Sequence, residues 1–122
     1  MTAAPETVVR EFCAAWEKLD SDLLLTYFEP NAVYHNIPVD PAQGHDAIRA
    51  VLDLFLPQSV AIRFEILALA VDGPHVLTER VDHFEFADDR KVALPVAGVF
   101  EIVDGKIRAW RDYFDLASFL NA

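Results

Sequence analysis

Five polar residues stand out by type and spacing: Tyr34 and Asn36 two apart, Arg80 and Asp82 two apart, and Asp112 within Trp110-Arg111-Asp112-Tyr113-Phe114. A separation of two on a β-strand places both members of a pair on one face. In 76–86 the face that holds Arg80 and Asp82 also carries Val76, Thr78, Phe84 and Phe86, which is the face a fold would bury. An ion taken into such surroundings costs several kcal/mol unless it is paired, so the pattern predicts a satisfied, buried ionic network. The segment 106–114 repeats the theme. Its alternation groups Lys106, Arg108, Trp110, Asp112 and Phe114, a carboxylate flanked by aromatics. Two strands of one sheet would then each direct an Asp into an apolar cavity beside Arg80, with Tyr34 and Asn36 supplied from a third. Together these are groups that hold and activate water. A purely structural ion pair, or an exposed Asp112 on a sheet edge, would leave the same pattern in the sequence.

The elements that must position them are readable in outline. Residues 5–19 place Val8, Val9, Phe12, Cys13, Trp16 and Leu19 at helical spacing, with Pro5 near the start. Asp20-Ser21-Asp22 offers a new N-cap for a short helix over 23–28, ended by Pro30. A strand over 31–38 follows, with Ala32, Tyr34 and Asn36 on one face and Val33, His35 and Ile37 on the other, and then a loop marked by Pro38, Pro41 and Gly44. Residues 45–56 read as a third helix through Ile48, Val51, Leu52, Phe55 and Leu56, stopped by Pro57. From there the period changes to that of strands over 60–71, 76–86, 92–103 and 106–114, separated by the turns Asp72-Gly73-Pro74, 87–90 and Asp104-Gly105, with a last helical turn at 115–120. Helices followed by a meander of long strands predict an α+β fold: a curved, mostly antiparallel or mixed sheet with the N-terminal helices on its concave face, as one domain over 1–122.

Composition narrows the partners. A formal net charge of −10 repels phosphates and argues against nucleic acid or an anionic membrane surface, whereas nine Phe and two Trp supply bulk for both a core and an apolar pocket. The single cysteine, Cys13, permits no internal disulfide and reads as buried packing. No apolar run is long enough to span a bilayer and the N-terminus has no signal pattern, so a cytoplasmic location is expected. The four histidines, His35, His45, His75 and His83, lack HxH or HExxH spacing, and by alternation His35 and His83 face away from Tyr34 and Asp82, so no metal site is expected.

Tyr34-x-Asn36, Arg80-x-Asp82 and Asp112 within the Trp-Arg-Asp-Tyr-Phe run resemble the active-site signature of the limonene-1,2-epoxide hydrolase family. That family shares the nuclear-transport-factor-like, or cystatin-like cone, fold with ketosteroid isomerases and polyketide cyclases, and the resemblance covers nearly the whole chain in element order. It implies that Tyr34, Asn36 and Asp112 hold a water, that Asp112 takes its proton as it attacks an epoxide carbon, that Asp82 protonates the epoxide oxygen, and that Arg80 bridges the carboxylates. It further implies a homodimer and a small hydrophobic epoxide substrate, with no cofactor.

Physical chemistry is consistent with that division of roles. Opening an epoxide at neutral pH calls for a base and an acid acting together, and two buried carboxylates around one guanidinium are neutral when they share one proton. By strand phase Phe84, Trp110 and Phe114 are the expected cavity walls. An isomerase or cyclase of the same fold is the alternative reading, although a guanidinium is a poor neighbour for an enolate site, which favours a neutral donor. A non-catalytic binding or dimerisation module is the third.

Overall fold

The computed structural model describes residues 3–121. Helix α1 (Pro5–Ala15) buries Val8, Val9, Phe12 and Cys13 and tightens into a 3₁₀ turn over Trp16–Lys18. Leu19 then reverses the chain in the left-handed region at φ 55°. Asp20 caps α2 (Ser21–Leu25) by accepting from the Leu23 N–H at 3.2 Å, as expected of an Asp at that position. The strands are β1 (Phe28–Asn36), β2 (Ala42–Gln43), β3 (Ser59–Asp72), β4 (His75–Phe86), β5 (Lys91–Val103) and β6 (Lys106–Tyr113). Helix α3 (His45–Phe55) lies between β2 and β3, and α4 (Leu116–Leu120) follows β6.

The strands form one mixed sheet in the order β2-β1-β6-β5-β4-β3. All neighbours are antiparallel except β1 and β6, which run parallel. That pairing joins the early strand to the last one, with Tyr34 opposite Trp110 and Asn36 opposite Asp112. The long meander sets the rest: Gly98 of β5 lies between Thr78 of β4 on one side and Asp112 of β6 on the other. The site residues on three separate strands are thereby brought to one region of a single face.

Several boundaries depart from the sequence reading. The second helix ends at Leu25 rather than running to residue 28, and Pro30 does not terminate it. Pro30 instead sits exposed inside β1, close to a register shift between Phe28 and Val33, where a missing N–H is tolerated. The proline-marked loop contains the two-residue strand β2, which pairs Val33 with Gln43 and Tyr34 with Ala42. Strict alternation along 106–114 also fails at its start. A bulge places Ile102 opposite Ile107 while Glu101 opposes Ala109, so Ile107 is buried and Lys106 and Arg108 are exposed, contrary to the expected grouping. Beyond the bulge, Trp110 and Asp112 point inward as expected.

The inward face of the sheet packs against the helices through an aromatic core. Phe12 of α1 is fully buried and meets Phe28, Phe100 and Trp110 edge to face, with ring centroids 5.4, 6.1 and 5.0 Å away. It thus ties the first helix to β1, β5 and β6 at once. Truncating it should leave a cavity that these rigid neighbours cannot close. Phe12→Ala is expected to lower unfolding stability by about 3–5 kcal/mol, measured by urea denaturation.

Candidate active site

Arg80 lies on β4 with its side chain fully enclosed, and its guanidinium reaches across β5 to β6. Nε and Nη2 donate to Asp82 Oδ1 and Oδ2 at 3.0 and 2.9 Å. Nη1 and Nη2 donate to Asp112 Oδ1 and Oδ2 at 3.2 and 2.8 Å. Nη1 also donates to Thr78 Oγ1 at 3.1 Å, and the Thr78 hydroxyl donates to the Gly98 carbonyl at 3.3 Å. A guanidinium has five N–H groups, and these contacts employ all of them. Both carboxylates are gripped in the two-pronged manner that suits Arg and that Lys cannot reproduce. The Trp110 indole N–H adds a further donor to Asp112 Oδ1 at 2.6 Å.

Gly98 is what makes the crossing possible. A side chain there would put its Cβ onto Arg80 Nη1 and within 2.5 Å of Asp112 Oδ1, so the guanidinium occupies the space a side chain would fill. The requirement is one of volume rather than backbone conformation. Neither Gly98 nor Thr78 was identified as part of the site from sequence. The available signal was a glycine inside a long apolar strand, which marks a close approach by something else.

The electrostatics follow from enclosure. Desolvation raises the Asp82 carboxyl to a pKa of about 6, against the opposing pull of Arg80. Arg80 is held charged, well above its ordinary range, because Asp112 and Asp82 outweigh the desolvation that acts against the charge. Desolvation, with the Asp112 charge added, pushes the Tyr34 phenol upward, so it is a neutral hydroxyl at any working pH. Tyr34 lies flat on Trp110, with centroids 4.3 Å apart and planes 4° from parallel.

Tyr34, Asn36, Asp82 and Asp112 all line one cavity of about 210 Å³ that is otherwise apolar apart from Asp40. Arg80 does not open onto it. The guanidinium sits behind the carboxylates, over the Phe64 ring at 4.9 Å. Of the three expected walls, Phe84 and Phe114 line the cavity. Trp110 does not, and that expectation is corrected: its ring is buried between Tyr34 and Phe100, stacked on both, and it acts from behind through its N–H on Asp112. The wall has contributors that alternation on the strands could not reveal, notably Trp16 and Phe55 from the helical segments and Phe119 from α4. The histidines are dispersed elsewhere. His35 and His45 meet the Val39 and Phe28 carbonyls, while His75 and His83 lie near Glu101 and Glu65.

The dependence on Gly98 is directly testable. Gly98→Ala should displace Arg80 from Asp112, lower the melting temperature and reduce any activity by more than tenfold, since it breaks a buried charge network whose disruption costs on the order of 3–5 kcal/mol. Thermal melting and steady-state turnover on the same preparation check it.

Comparison with known proteins adds a separate line of support. Residues 3–122 match the family model described as the limonene-1,2-epoxide hydrolase catalytic domain. The epoxide hydrolase EphG of Mycobacterium tuberculosis is 33% identical over 108 residues, covering 88% of this chain and 71% of that protein. The solved structure of an LEH-like epoxide hydrolase from M. tuberculosis superposes with a TM-score of 0.82 at 29% identity, over 96% of this chain and 86% of that one. A putative SnoaL-like polyketide cyclase from Shewanella putrefaciens reaches a TM-score of 0.86 over 99% and 96% of the two chains but is only 14% identical, a likeness of fold alone. With the family model spanning all but the first two residues, the chain belongs to the limonene-1,2-epoxide hydrolase family.

Proposed function

We propose that this protein is a cofactor-independent epoxide hydrolase that adds water to a small hydrophobic epoxide and releases a vicinal diol in one concerted step. The observation that carries this reading is the Asp82–Arg80–Asp112 bridge, with both carboxylates facing a single apolar cavity beside Tyr34 and Asn36. One guanidinium and two carboxylates carry a single net negative charge, and one shared proton makes the group neutral. The elevated Asp82 carboxyl is the member suited to keep that proton.

The roles follow from these surroundings. Tyr34, Asn36 and Asp112 orient a water against one epoxide carbon. As its oxygen forms the new C–O bond, Asp112 takes one of its protons. The ring C–O bond breaks at the same time, and Asp82 gives its proton to the departing oxygen, so no alkoxide is released into the apolar cavity. The two carboxyl groups have then exchanged their protonation states, and transfer of one proton back to Asp82 restores the start. Epoxide and water are consumed and a diol is formed. Trp110 and Arg80 act on the carboxylates and not on the substrate. An enolate-forming reaction is less well supported, because the Arg80 N–H groups are already committed to Asp82, Asp112 and Thr78.

The assembly proposed with this function is a homodimer through the convex face of the sheet. Ala93, Pro95 and Ala97 of β5 are exposed there beside Leu77 and Tyr113, small and apolar side chains flanked by His83 and Glu79. A cytoplasmic setting suits Cys13, a buried free thiol whose pKa desolvation raises to about 12.

Asp82→Asn and Asp112→Asn keep the shape of the network, and each is expected to fold while losing about 10²–10⁴-fold in kcat on an epoxide such as limonene oxide or cyclohexene oxide. A single turnover in oxygen-18 water should place the label in the diol and none in the protein. Label recovered in an Asp carboxylate would mean a covalent intermediate and overturn the reading.

The pH dependence has a definite sign. The acid form of Asp82 is required, so kcat/KM should fall as pH rises through about 6, by one log unit per pH unit on the limiting limb. Because this carboxyl is raised from 3.8 in the folded state, the native protein binds its proton more tightly than the unfolded chain does. The stability contributed by that proton is present below 3.8 and is lost as pH rises to about 6. Denaturation of wild type and Asp82→Asn across this window should show the difference, with wild type losing stability relative to the variant.

A further inference from the structure

Helix α4 forms part of the cavity wall and packs there through Phe119. It is five residues long, too short to persist alone, and none of its residues is fully buried. Leu116, Phe119 and Leu120 all face the cavity. Leu120 is 60% exposed, and with Leu54 and Val39, 64% and 48% exposed, it marks the mouth. Phe119 is the deeper anchor. Its ring meets Phe55 and Phe84 edge-on, with centroids 5.8 and 5.5 Å away, and both partners are themselves cavity walls.

Arg90 secures this arrangement from outside. It follows the left-handed residue Asp89 in the β4–β5 turn, where its N–H donates to Asp88 Oδ1 at 3.0 Å and its carbonyl accepts from the Phe86 N–H at 2.9 Å. Its guanidinium lies over the Phe86 ring at 4.5 Å and near the Phe119 ring at 5.8 Å. Nη1 donates to the Phe119 carbonyl at 3.1 Å. Among the described residues this is the only hydrogen bond that ties α4 to another element. The carbonyl belongs to the last turn of the helix, where backbone oxygens lack intrahelical partners, so a rigid cation there meets both an open acceptor and the negative end of the peptide dipoles.

We propose that Arg90 is a specificity-determining positioning residue: by clamping Phe119 it fixes α4 as a cavity wall and so limits how long a guest the cavity accepts. Arg90 does not line the cavity, and its influence passes through Phe119. With the clamp in place, a compact apolar guest is enclosed by Phe119, Phe55 and Phe84, whereas an elongated one must displace the helix. Without it, the wall swings outward at the mouth. The compact guest loses contacts and the elongated guest gains room. The inference rests on the proposed function only in taking the cavity as the substrate's place, and it can be tested without turnover.

The test is the ratio of affinities for cyclohexane-1,2-diol and decane-1,2-diol, titrated through intrinsic tryptophan fluorescence, since Trp16 lines the cavity. Wild type should favour the compact diol. Arg90→Met, which keeps an apolar stem but removes the fork, should shift the ratio about tenfold toward the long diol. Phe119→Ala should shift it the same way, and the double variant should go no further than the larger single shift. Arg90→Lys, which retains charge without the planar fork, should show an intermediate shift. A ratio within twofold of wild type in the folded variants, or equal weakening of both diols, overturns the proposal. Should Arg90→Met fail to fold, an unchanged ratio in Phe119→Ala and Arg90→Lys overturns it equally. Wild type binding neither diol would also sink it, while failure of epoxide turnover with the ratio shift intact would count only against the hydrolase reading.

Discussion

A guanidinium enclosed in protein must have every N–H occupied and its charge answered, and this constraint organises the centre of the molecule. Arg80 meets it by gripping one carboxylate on its own strand and another two strands away, with the Thr78 hydroxyl accepting the remaining donor. The strands are therefore held in one relative position by more than their backbone ladders. Buried ion networks are not in general a source of net stability, because desolvation offsets much of the attraction. Here the arrangement does something an apolar core could not: it holds two carboxyl groups at the wall of one largely apolar cavity, both bound to a single guanidinium.

The surroundings hold this network in place. The intervening strand has no side chain at Gly98, so the cation passes where a β-carbon would otherwise stand. Trp110 supports the site from behind, with Tyr34 stacked on one side, Phe100 on the other, and its N–H on Asp112. Phe12 then joins this aromatic stack to the first helix. Gly98, Trp110, Phe100 and Phe12 do not line the cavity, yet together they set the enclosure on which the elevated Asp82 carboxyl depends.

The cavity's two ends are made differently. The polar end comes from β1, β6 and β4, strands of one sheet whose positions are locked by register. The outer end comes from α3, the segment after β1 and the short α4, where exposed Val39, Leu54 and Leu120 meet solvent. Such a division sets the polar end on sheet register and builds the mouth from helices and a connecting segment. It also fits the broad recurrence of the fold, which appears in polyketide-cyclase-like structures at 14% identity with a TM-score of 0.86.

By itself the sequence determined the strand phases and the chemical types on them. Period-two alternation is local, so it was enough to put Arg80 and Asp82 on the buried face of one strand, Asp112 on that of another, and Tyr34 with Asn36 on a third. It also marked the α+β class, the turns and, within Asp20-Ser21-Asp22, the cap of the second helix, which the structure assigns to Asp20 with the helix starting at Ser21. Where a local irregularity intervened, alternation misled: the bulge before Trp110 reversed the facing of Lys106, Ile107 and Arg108, and the chain's early extension at Phe28 carried Pro30 into a strand. Only the tertiary structure decided what depends on residues far apart in the chain meeting in space. The parallel pairing of β1 with β6 set Asn36 beside Asp112, the passage of Arg80 over Gly98 joined β4 to β6, and burial between Tyr34 and Phe100 took Trp110 off the cavity wall. These are matters of strand order and packed volume, to which no short window of sequence is sensitive.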